Sequence, residues 1–118
     1  MAQLLNQIVA TADNQEAALS SIGLTELVHG IYRARSDVVR TRRAMFIQEL
    51  LDDVEVYPYT KDIALLAGKI DGEQQERGAT IPFSDLLIGA TALFHDYSVL
   101  TVNVRHFWLV PGLRVMRL

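Results

Sequence analysis

The stretch IPFSDLLIGATAL, from Ile81 to Leu93, carries one carboxylate near its entrance and no charge after it. From Leu86 to Leu93 every residue is Leu, Ile, Gly, Ala or Thr. A surface helix keeps a polar face, so a helix this apolar on all sides is expected to be buried. Asp85 would then stand in its first turn. The helix macrodipole favours an acid there by roughly 0.3–1 kcal/mol. Ionising a buried, unpaired carboxylate costs several kcal/mol, which is more. Asp85 therefore needs a partner, a raised pKa or a cation.

The flanking segments set this helix in an α/β frame. Thr60 is placed to cap a long helix through Ile63, Leu66, Ala67 and Ile70, which ends at QQERG with Gly78 as its C′ residue. After the opening stretch, His95 and Asp96 close the helix, SVLTVN reads as a strand, RHFWLVPG as a loop and LRVMRL (Leu113 to Leu118) as a final strand. Upstream, VEVYP (Val54 to Pro58) alternates and stops at proline, as a strand does. Ser36 heads the helix SDVVRTRRAMFIQELLDD, with Val39, Met45, Phe46, Leu50 and Leu51 on its apolar side. LTELVHGIYRAR spaces Leu24, Leu27, Val28 and Ile31 as a helical stripe, and AALSSIG (Ala17 to Gly23) before it reads as a buried strand. MAQLLNQIVATADNQE reads as an amphipathic helix with Leu4, Leu5, Ile8 and Val9 on one face. The order α β α α β α α β β predicts an α/β layer fold with a mainly parallel sheet. Residues 1–118 are expected to form a single domain.

Composition narrows the chemistry. The chain has 118 residues, half of them apolar and 21% charged, with a net charge of −3. Bulk charge gives no sign of nucleic-acid binding. Cysteine is absent, which removes disulfides, thiolate nucleophiles and thiolate metal sites. The N-terminus lacks the basic region of a signal peptide, and no segment is apolar and long enough to span a bilayer. A cytoplasmic protein is expected, with no membrane association.

In parallel sheets, functional groups gather where chain leaves the carboxyl ends of strands. Glu26 falls just past the first predicted strand, in the first turn of its helix, and Asn103 ends SVLTVN. With Asp85 they could face one pocket. Two acids and an amide make a hard-oxygen ligand set, suited to Mg²⁺ or Mn²⁺ and poor for Zn²⁺. Either acid alone is more often a helix-end residue than a ligand. His29, His95 and His106 show no paired metal spacing, and each is more often a surface or satisfied core histidine. Arg33, Arg35, Arg40, Arg42 and Arg43 cluster around one helical region, with Arg105 beside Asn103. Such a run is usually a solvated face. Arginine is nonetheless the better bidentate phosphate binder, so these six are the candidate RNA contacts.

These blocks resemble a known family. SSIGLTELVHGIYRAR is similar to the second conserved block of PIN-domain ribonucleases, and IPFSDLLIGATAL to the third. VLTVNVRHFWLVPGLRV resembles the C-terminal block of the VapC-type toxins of toxin–antitoxin pairs. The resemblance runs from Ala17 to Val115. It implies a three-layer PIN-like domain with helices on both faces of the sheet, and a Mg²⁺- or Mn²⁺-dependent endoribonuclease activity on RNA. Glu26 and Asp85 would be the second and third acids of the metal site. Asn103 would replace a fourth acid as a weaker oxygen ligand. A cognate antitoxin and a homodimer are the implied protein partners.

One departure stands out. The family begins with a buried strand that carries its first acid, in a pattern like aliphatic-aliphatic-D-T/S-S, and nothing here matches it. Asp13 is the only acid before Glu16, in a polar stretch with no predicted strand before it. The chain reads as starting inside the family's first helix. That leaves a gap in the sheet between the strands at Ala17 to Gly23 and Ser98 to Asn103. Three explanations compete: a misassigned or truncated start of a longer protein, closure of the gap by the remaining strands, or its filling by another chain. Weak or absent metal affinity and ribonuclease activity are therefore expected. The alternative function is a non-catalytic PIN-like protein that binds an antitoxin, a sister toxin or RNA.

Overall fold

The computed structural model describes residues 8–10 and 17–117. Among the described residues five strands form one sheet in the order β3-β2-β1-β4-β5: β1 (Ile8–Ala10), β2 (Ala17–Ser20), β3 (Glu55–Tyr57), β4 (Ser98–Thr101) and β5 (Val115–Arg117). The helices are α1 (Ser21–Arg33), α2 (Asp37–Asp53), α3 (Lys61–Glu76), α4 (Phe83–Phe94) and α5 (Val104–Trp108).

The gap expected between the second and fourth strands is occupied by the chain's own residues. Ile8–Ala10 pairs with both β2 and β4, antiparallel to each. The other four strands run in one direction, with β2 parallel to β3 and β4 parallel to β5. This corrects the helical reading at Ile8 and Val9. Two facing strand edges would leave rows of backbone N–H and C=O groups unpaired, and a three-residue ladder satisfies both. The rest of that predicted helix, including Leu4 and Leu5, lies outside the described residues, as does Asp13.

Helices cover both faces of the sheet. Neighbouring residues on a strand point to opposite faces, and Ala18 and Leu19 show it. Leu19 packs with Leu27 of α1 and Ile47 of α2. Ala18 packs with Ile88 and Ala92 of α4, Val99 of β4 and Phe107 of α5. The far side of α4 presents Leu86 and Ala90 to Ile63, Ala67 and Ile70 of α3. α4 is thus sandwiched between sheet and helix, which is why its sequence is apolar all round. At Gly89 a Cβ would lie 3.1 Å from Val110 Cγ2 and 3.4 Å from Leu113 Cδ2, so the missing side chain lets the segment after α5 come close.

Local chemistry sets the ends of the elements. Ser36 and Thr60 cap α2 and α3 as expected, their hydroxyls accepting from Val39 N–H (3.2 Å) and Ile63 N–H (3.3 Å). Gly78, at φ +81°, closes α3: its N–H reaches Gln75 O, and Ala79 N–H reaches Gln74 O, both at 2.9 Å. Two further boundaries differ from the sequence reading. Ser20 accepts from Gly23 N–H at 2.9 Å, so β2 stops at Ser20 and α1 starts at Ser21 rather than after Gly23. The segment read as a loop, RHFWLVPG, forms much of α5, with Val104 and Phe107 buried one turn apart.

Candidate functional site

Pro82 precedes α4 at the N-cap position, and its side chain offers no cap. Asp85, the third residue of the helix, is only 6% exposed. His106 of α5 meets it, Nδ1 lying 2.7 Å from Oδ2. Burial pushes the Asp85 carboxyl above the usual carboxylate range. The charge of His106 and its hydrogen bond pull it back, and the nearby charge of Glu26 raises it again. Two acids thus share one region, and one of them is held uneasily in its charged form.

Glu26 sits in the second turn of α1, not the first, because Ser20 starts the helix early. Its Oε1 is buried and has no hydrogen-bond partner among the described residues. An unmet buried acceptor ordinarily costs about 1–3 kcal/mol. Such an atom calls for an explanation.

Asn103 leads into α5. Its backbone N–H donates to Thr101 Oγ1 at 2.9 Å, while its side chain caps nothing. It lines a cavity of about 270 Å³ with Val102, Val104, Arg105, His106 and Arg117. His106 connects this cavity to Asp85. The structure therefore brings Glu26 and Asp85 within electrostatic reach and places Asn103 and Arg105 with His106 in one cavity lining.

The other arginines sit at the α1–α2 corner, away from the cavity lining. Arg40 Nε donates to Ala34 O (2.9 Å), and Arg43 donates to Gly30 O. Both thus satisfy carbonyls around the end of α1. Arg33, Arg35 and Arg42 are exposed and form no ion pair among the described residues. Of the histidines, His95 stacks on Tyr57 with ring centroids 3.9 Å apart, and His29 is exposed.

Glu26 and Asp85 fit a hard divalent cation by donor type. A buried carboxylate oxygen without a partner beside a carboxyl raised by burial is a pair that a cation would relieve. Mg²⁺ commonly takes one or two carboxylates and fills its remaining positions with water or phosphate oxygens. Among the described residues no group of three His, Cys, Asp or Glu side chains is arranged to hold a metal. The pair would be the protein's share of the ligand set.

Sequence reasoning missed His106 as the partner of Asp85. The usable signal was the three-residue spacing of Val104, Phe107 and Val110, all buried, which marks helical turns where a loop was read.

Comparison with known proteins identifies the family. The PIN domain family model matches residues 2–107. Ribonuclease VapC1 of Rickettsia felis is 33% identical over 101 residues, spanning 86% of this chain and 75% of that protein. The tRNA(fMet)-specific endonuclease VapC of Salmonella typhimurium is 29% identical over 97 residues, spanning 82% of this chain and 71% of that one. Among solved structures, the DNA-bound VapBC from Salmonella typhimurium superposes with a TM-score of 0.75 at 27% identity, covering 85% of this chain and 74% of that one. The family match over residues 2–107 and the VapC relatives lead to one conclusion: this chain belongs to the PIN-domain family and is a VapC-type member of it.

Proposed function

We propose that this chain is a divalent-metal-dependent endoribonuclease of low activity, with Glu26 and Asp85 as its cation ligands. The observation that carries the reading is the buried, partnerless Glu26 Oε1 beside the raised carboxyl of Asp85. The named relatives are ribonucleases, and that supports RNA as the substrate.

The chain's own residues divide the work. His106 pins Oδ2 of Asp85 and leaves the other carboxylate oxygen for a cation. Leu86 packs into the α3–α4 core, which fixes the start of α4 and with it the position of Asp85. Asn103 adds a neutral amide at the edge of the adjoining cavity, where it contacts substrate without adding negative charge. A bound Mg²⁺ or Mn²⁺ would supply Lewis-acid stabilisation of charge developing on the phosphate. With two acids rather than a larger cluster among the described residues, cation affinity is weak and cleavage slow.

The test is cleavage of end-labelled single-stranded RNA in Mg²⁺ or Mn²⁺ by the wild type and by Asp85→Ala. Cleavage that disappears in the variant supports the proposal. No cleavage by either protein, or equal cleavage by both, overturns it.

A second reading, binding without catalysis, is favoured by a separate feature. Val28 and Tyr32 of α1 and Val38 and Met45 of α2 are 39%, 70%, 65% and 59% exposed. Four large apolar side chains on one helical hairpin suit an apolar partner helix. A cognate antitoxin is the partner proposed for this surface, and a homodimer for the protein itself. Co-purification with the antitoxin that is lost in Tyr32→Asp supports the first, and sedimentation as a monomer at working concentration argues against the second.

A further inference from the structure

The cavity beside the acid pair has a chemistry of its own. Its polar lining is Asn103, Arg105, His106 and Arg117, with no acid among the lining residues. On a chain of net charge −3, such a spot is a local exception. Arg117 is the end of β5, paired in register with Thr101 at the end of β4, so it stands where chain leaves the carboxyl edge of the sheet. Its one described bond is a long contact from Nη1 to Val102 O at 3.5 Å. Most of its donors are therefore uncommitted.

Arg114, three residues earlier, shows what a structural arginine does here. It spends its guanidinium on Ser98 Oγ (3.3 Å), Asp96 Oδ1 (3.1 Å) and Asp96 O (2.9 Å). Arg117 and Arg105 have no such anions, and neither forms an ion pair among the described residues. The cavity volume, about 270 Å³, falls below the ~300–1,000 Å³ of a site for a whole drug-sized ligand. It suits a single anionic group of a larger substrate.

We propose that this cavity is a phosphate subsite. It holds the phosphodiester adjacent to the one offered to Glu26 and Asp85, with Arg117 as its principal binding residue and Arg105 as its second. The proposal rests on RNA being the substrate. His106 supplies the geometric link, because its ring touches Asp85 on one side and lines the cavity on the other. The subsite also answers an electrostatic problem. Two clustered carboxylates repel a polyanion, and cations one step along the strand offset that repulsion. Arginine fits the task better than lysine, since its planar fork meets two phosphate oxygens at once.

The experiment measures fluorescence anisotropy of a labelled single-stranded RNA across a salt series, with EDTA present so that no strand is cut. Wild type is compared with Arg117→Ala, Arg105→Ala, Arg117→Lys and, as a control outside the cavity lining, Arg77→Ala. Arg117→Ala should weaken binding about tenfold. It should also reduce the slope of log affinity against log salt by about 0.7, the loss of one phosphate contact on a single strand. Arg105→Ala should act in the same direction. Arg117→Lys should recover the slope but not the full affinity, and Arg77→Ala should change neither. Matching melting temperatures exclude a folding effect. Unchanged affinity and slope in both Arg117→Ala and Arg105→Ala would overturn the subsite, as would an equal loss in Arg77→Ala or no RNA binding at low salt. RNA binding that depends on Arg117 in a protein that never cleaves would uphold the subsite and remove the catalytic reading alone.

Discussion

α4 has an aspartate at each end, and the two live in opposite conditions. Asp96, just past the helix, adopts φ +61°, and its side chain is 89% exposed. Its N–H bonds Leu93 O and Tyr97 N–H bonds Ala92 O, the same closing pattern that Gly78 makes for α3. Arg114 holds its carboxylate and its carbonyl. Everything Asp96 does is local structure in water. Asp85 is buried and has one half-exposed partner; burial first, and Glu26 to a lesser degree, destabilises its anion. The fold tolerates this second arrangement at a cost, and function is the reason on offer. Carboxylates perturbed by burial and a charged neighbour cluster at functional sites.

The sharpest way to break the contrast is to neutralise each aspartate. Asp85→Ala should lower RNA cleavage by at least about a thousandfold, since one member of a small ligand set is lost. Asp96→Ala should leave the rate within about twofold. Both are read by single-turnover cleavage in Mn²⁺.

Next in size is Glu26→Gln, which removes charge while keeping shape. Cation affinity should fall by at least about tenfold, measured by calorimetry. The metal-free protein should melt higher than wild type, because Asp85 loses a repulsive neighbour.

The acid limb of stability separates the two ends differently. Asp85 has a raised carboxyl, so the folded state binds its proton more tightly than the unfolded state does. Its contribution is most favourable at low pH and is lost as pH rises through the folded pKa. Asp85→Asn should therefore be more stable than metal-free wild type at neutral pH, by roughly 2–5 °C in Tm. That gap should close as the pH is lowered into the carboxylate range. A gap that widens in acid would contradict the burial argument.

Packing gives a smaller effect. Gly89→Ala places a methyl 3.1 Å from Val110 Cγ2 and should cost about 1 kcal/mol in denaturant unfolding, the gain in helix propensity offsetting part of the crowding. Smallest of all, Asp96→Gly should change stability by no more than about 0.5 kcal/mol, because relief of the left-handed backbone offsets the lost contact with Arg114.

Legibility followed the same division between local and non-local chemistry. The caps at Ser36 and Thr60 and the stop at Gly78 were readable because each is settled within a few residues. The burial of α4 was readable from the length of its apolar run. Ile8–Ala10 was not, since a short apolar run serves strand and helix equally and its partners lie in β2 and β4. Glu26 and Asp85 were marked by type and by family resemblance, and their proximity emerged only from the fold. His106 escaped because its significance lies in a contact with a distant segment. Arg40 and Arg43 look like Arg42 in sequence, yet the first two bond carbonyls around the end of α1.

The most direct single measurement is calorimetric titration of Mn²⁺ into the wild type and into Asp85→Ala under identical conditions. Weak one-site binding by the wild type that vanishes in the variant is the predicted result. Equal binding by both proteins, or none by either, would contradict the assignment of Glu26 and Asp85 as a cation site.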